Sequence, residues 1–208
     1  MATPVQVLSE TRVAETGSDS KTTRALGVGG VLGAPMMLVM MALHLTGRLP
    51  GGPLGRADGI LSLAYVAGWL CSAIAMRRLR IFGTGRVAAA GSALQFAGLA
   101  FAAAWACLVV VRPHPDTTSL LFRITDPSWP LSHVYMLVLG AAAINARRWL
   151  GWRRYVTLLC GLVLPCAFAV AKLSDSRPAM ELEFAIHSAV AWTALAVAVF
   201  QSARRPSQ

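Results

Sequence analysis

Three histidines stand out among the residues that could do chemistry: His44, His133 and His187. Each falls inside a stretch of apolar sequence, where an ionisable group is costly and usually turned toward a functional interior. Glu183 lies four residues before His187, so both occupy one face of a helix. Ser132 adjoins His133, and Asp58, Asp126 and Asp175 fall at the edges of other apolar stretches. Three imidazoles with a nearby carboxylate can hold one Zn²⁺ and leave a position open for water, with Glu183 or Asp58 as general base. Two of the imidazoles could instead ligate the iron of a haem b. A third option is a relay in which His and Glu pass protons or a substrate through the membrane. Histidine also tolerates the headgroup zone, so three unrelated interfacial histidines are the competing reading.

Other donors are weaker signals. Met36, Met40 and His44 recur every four residues, a soft donor set that would suit Cu(I). Methionine is equally the usual filler of irregular apolar gaps, and packing is the favoured role here. Cys71, Cys107, Cys160 and Cys166 all lie inside apolar stretches with no C-x-x-C spacing, and they read as small apolar fillers that form no disulfide. No G-x-S-x-G, H-E-x-x-H or phosphate-cradling glycine loop is present.

The elements that must position these residues follow from composition. The chain has 208 residues, 56% apolar and only 13% charged, against about 25% charged in an average soluble domain. Six windows contain no Asp, Glu, Lys or Arg: 25–47, 59–76, 87–111, 127–146, 155–171 and 184–203. Each is close to the length a helix needs to cross a hydrocarbon core of about 30 Å. The expected fold is therefore all-α: one domain of residues 24–205 forming a bundle of six transmembrane helices, with spans at about 25–46, 59–76, 87–111, 130–146, 155–171 and 184–203. Residues 1–23 are polar, lack the apolar core of a signal peptide and read as a disordered tail.

The net charge of +10 does not point to nucleic acid, because the arginines sit in short loops between apolar spans. With six spans, one side collects thirteen Lys and Arg and the other six. Short basic loops stay in the cytoplasm, so both termini are expected there, in a cell inner membrane. Arg outnumbers Lys 17 to 2, which suggests a GC-rich bacterial genome. In this topology the three histidines sit roughly 5–8 Å below the outer surface, at 1.5 Å per helical residue.

Several further expectations follow. Gly29 and Gly33 offer a close-packing helix face, Pro35 and Pro165 should kink their helices, and the amide of Gln95 needs a buried partner. Trp129 suits the outer interface, and Trp149 and Trp152 the inner one. Three functions remain open: a metal- or haem-binding protein with an outward His/carboxylate pocket, a transporter or proton-path subunit, and an accessory scaffold that packs as a homo-oligomer or against another membrane protein. The lipid bilayer is the one partner that composition itself implies.

Overall fold

The computed structural model describes residues 20–203. The expected tail lies outside the described residues up to residue 19, and from Ser20 onward the chain is helical. The helices in chain order are α1 (Ser20–Leu45), α2 (Arg56–Arg78), α3 (Arg86–Val111), α4 (Leu120–Thr125), α5 (Ser128–Ala146), α6 (Arg153–Gly161), α7 (Val163–Ser174) and α8 (Arg177–Ser202). There are no strands among the described residues. The chain is an all-α polytopic membrane protein with five helices long and apolar enough to cross a bilayer, or six if the bent pair α6–α7 counts as one.

One hydrogen bond decides that count. The Ser20 hydroxyl at the start of α1 donates to the Ala203 carbonyl just past α8, at 2.6 Å. The two ends of the bundle's chain therefore meet at one end, which requires an even number of crossings. The α6–α7 pair makes the sixth.

Successive spans pack side by side: α1 on α2, α2 on α3, α3 on α5, α5 on α6, and α7 on α8, with α8 closing the ring against α1 and also touching α2. Without a hydrophobic drive between helices in lipid, such contacts depend on close approach of small residues. The α1 glycines supply it. A Cβ on Gly33 would sit 2.6 Å from the Gly68 Cα, and one on Gly30 would sit 2.5 Å from the Ser72 hydroxyl and 2.9 Å from the Ala196 Cβ. The glycine face read from the sequence is thus the seam of α1 with α2 and α8.

Both prolines interrupt helices. Residues 34–35 form a turn within α1. The larger break lies at Leu162, where α6 and α7 meet at a bend of 52°. Pro165 explains it, since Pro165 has no N–H to offer the Gly161 carbonyl and its ring crowds the preceding turn.

Two helices start earlier than the charge-free windows suggest. The fourth span runs helically through Leu120–Ala146, not from residue 130, and α8 starts at Arg177, not near 184. Caps explain both. The Ser119 hydroxyl accepts from the Phe122 amide, and the Ser176 hydroxyl accepts from the Ala179 amide, each at 3.3 Å. Pro178 sits in the first turn of α8, where its missing N–H costs nothing. Arg177 and Glu181 pair at 2.9 Å one turn apart, which accommodates the charged start of α8.

Candidate functional site

The earlier helix starts move two histidines inward along their helices. His133 lies thirteen residues after Leu120, and His187 ten residues after Arg177. His44 stays near the C-terminal end of α1 and is exposed.

His187 is the hub. Its Nδ1 lies 3.0 Å from Glu183 Oε1, and its Nε2 lies 3.1 Å from the Leu159 carbonyl oxygen. Both partners are oxygens. A carbonyl can only accept, so Nε2 carries a proton and donates it. Nδ1 thereby faces the Glu183 carboxyl. The second oxygen, Glu183 Oε2, is buried without a hydrogen-bond partner.

The Leu159 carbonyl is within reach because of the bend. Leu159 lies in the last turn of α6, where the regular ladder gives way and Leu162 N–H bonds both the Leu158 and Leu159 carbonyls. Four residues beyond the bend, Cys166 comes to the same place. One donor atom from each of Cys166, Glu183 and His187 lies within 4.8 Å of the others, with all three residues half-buried. Among the described residues this is the cluster whose spacing suits a metal ion. Cys166 was read from the sequence as an apolar filler. Its spacing alone does not reveal the cluster, which forms where α7 and α8 fold back on each other across the short turn at 175–176.

His133 stands apart from that cluster. It is 1% exposed, lies edge-on to Trp69 with centroids 4.7 Å apart, and packs on Phe184 at 5.4 Å. Its Nδ1 lies 2.9 Å from the Trp129 carbonyl, so Nδ1 donates and Nε2 presents a bare lone pair with no protein partner. His133 belongs to an aromatic core in which Tyr65 stacks on Trp129 at 5.8 Å, Trp69 lies 4.2 Å from Trp192, and Trp105 meets Trp129 at 5.9 Å. The part-buried Trp129 indole therefore packs against the rings of Tyr65 and Trp105. Gln95 is also buried, and both of its amide atoms lack protein partners beside a small cavity lined by Met76, Ser92 and Phe96.

The remaining candidates are occupied structurally. Met40 accepts from the Ser62 hydroxyl at 3.6 Å, while Met37 and Met41 are buried packing residues. Asp58, 8% exposed, accepts from the Leu54 amide at 2.7 Å and lies 3.5 Å from the Ser62 hydroxyl. Leu54 adopts φ +59°, a left-handed conformation unusual for leucine. The carboxylate anchors that turn. Asp58→Ala should cost about 1–3 kcal/mol by orphaning the Leu54 N–H, read as a lower unfolding midpoint in detergent, with metal content unaltered.

The chain matches no protein-family model, no curated protein and no solved structure. The class defined by fold and cluster is a polytopic helical membrane protein with a His/Cys/Glu group in its bundle.

Proposed function

We propose that this protein binds a transition-metal ion, Zn²⁺ by preference, in the membrane through Cys166, Glu183 and His187. The reading is carried by the convergence of thiol, carboxylate and imidazole donors within 4.8 Å. That donor set suits a borderline-soft divalent ion and leaves a fourth tetrahedral position open. Tetrahedral bonds of about 2.0–2.3 Å place donors about 3.3–3.8 Å apart, so the three donors would need only a small readjustment around an ion. The Nε2–H bond to the Leu159 carbonyl fixes the ring and directs Nδ1 at the ion, as an outer hydrogen bond does for a metal-bound histidine. The ion would sit between Nδ1, the Glu183 carboxylate and the Cys166 thiolate.

In this proposal the arginine-rich end of the bundle faces the cytoplasm. A second reading, passage of the metal ion or of protons, is favoured by one observation: the broken span α6–α7 borders the cluster, and broken helices commonly line transport sites. Titration of the purified full chain with Co²⁺, as a spectroscopic stand-in, tests the binding. One equivalent should bind with visible tetrahedral bands and a near-ultraviolet thiolate-to-metal band. Substoichiometric uptake, or bands without the thiolate transition, would sink the assignment. Liposomes loaded with a zinc-sensitive dye separate residence from passage.

A further inference from the structure

At the end of the bundle where the described chain begins and finishes, the α2–α3 turn, the α5–α6 turn and the end of α8 enclose a groove of about 630 Å³. Its lining includes Leu79, Arg148, Trp149, Trp152, Arg153 and Ser202. The two turns, residues 77–86 and 147–154, hold eight arginines and no Asp or Glu. Neither Arg148 nor Arg153 has a carboxylate partner among the described residues. Arg148 and Arg153 thus present positive charge to the groove.

We propose that this groove is a binding site for the headgroup of an anionic phospholipid. The proposal stands independently of the metal reading. Three observations select a lipid over a soluble anion. The groove lies at the ends of membrane-crossing helices, at the level where headgroup phosphates are abundant. Trp152, 51% exposed, and Leu150, 75% exposed, flank the arginines and offer apolar surface to the glycerol and first acyl methylenes. Trp149, 6% exposed, is a core residue that also lines the groove. Arginines beside interfacial tryptophans are the combination that headgroup recognition uses: a guanidinium for the phosphate oxygens and an amphipathic ring for the interface.

Native mass spectrometry of the full chain in detergent, titrated with phosphatidylglycerol or phosphatidylcholine, tests the site. Phosphatidylglycerol should be retained at about tenfold lower concentration than phosphatidylcholine. Arg148→Gln and Arg153→Gln should each weaken that retention about fivefold, and the double variant about twentyfold. Replacing both by Lys should preserve most of the binding, and Arg48→Gln with Arg112→Gln, at the opposite end, should leave it intact. The single variants decide the matter if the double one does not fold. Equal retention of the two lipids, or unchanged retention in the Gln variants, overturns the proposal. Displacement of the lipid by millimolar inorganic phosphate overturns the lipid as the ligand.

Discussion

Cys166→Ser should weaken Zn²⁺ binding by more than about a hundredfold and abolish the thiolate-to-metal band of the Co²⁺ form, because losing a direct ligand exceeds the ten- to hundredfold cost of losing an outer-shell partner. Serine keeps the volume and a weak donor, so the loss reports on the thiolate. Glu183→Gln and His187→Ala should fall in the same range, since each removes one of the three donors that lie within 4.8 Å. His44→Ala should leave the affinity unchanged, because His44 is exposed at the end of α1. His133→Ala should also leave it unchanged: the ring is anchored to Trp129 and held between Trp69 and Phe184, outside the cluster. A five-variant comparison by competition with a coloured chelator decides the assignment, and loss on His44→Ala would count against it.

The same site predicts its own proton balance. A thiol must give up its proton to ligate a metal, so Zn²⁺ affinity should fall as pH is lowered, and Cys166→Ser should flatten that dependence.

The fold was largely readable because membrane insertion leaves a coarse record. Charge-free windows of about 20 residues have one physical explanation in a chain this apolar, and the glycines of α1 declared a close seam that the structure places against Gly68 and Ala196. Helix starts were less readable. Windows defined by the absence of charge cannot see that Ser119 and Ser176 cap helices, or that Arg177 and Glu181 neutralise one another a turn apart. Glu183 beside His187 was legible from i, i+4 spacing alone. Cys166 was not, because it faces Glu183 and His187 only once α7 and α8 fold back on each other through the short turn at 175–176, which the charge-free windows left as a long loop. His133 was conspicuous in the sequence for its apolar neighbours, which are the aromatic core that buries it.

The packing that holds the bend in place leads to the second large effect. α5 and α6 cross with their backbones in contact at two glycines. A Cβ on Gly161 would sit 2.5 Å from the Leu137 amide nitrogen and 2.8 Å from its Cα, and one on Gly140 would sit 2.5 Å from the Leu158 Cα. Replacing a helical glycine by alanine ordinarily stabilises by about 1 kcal/mol. Here the sign reverses. The obstructing atoms are backbone, so no rotamer change relieves the clash and the helices must separate. Overpacking of this kind costs about 1–3 kcal/mol, and more where relaxation is blocked. At about 2–4 °C per kcal/mol for a chain of this size, Gly161→Ala should lower the unfolding midpoint by several degrees and Gly161→Val by roughly 10 °C. Gly161 follows Leu159 by two residues, so displacing α6 also withdraws the carbonyl that orients His187. Gly161→Ala should therefore lose about tenfold in metal affinity under conditions where the variant is still folded, although it touches no ligand. Gly68→Ala separates the two consequences. Its Cβ would meet Gly33 across the α1–α2 seam, away from the Leu159 carbonyl, so stability should fall while metal affinity holds. Equal affinity loss in both variants would mean that the bend transmits nothing specific to the site.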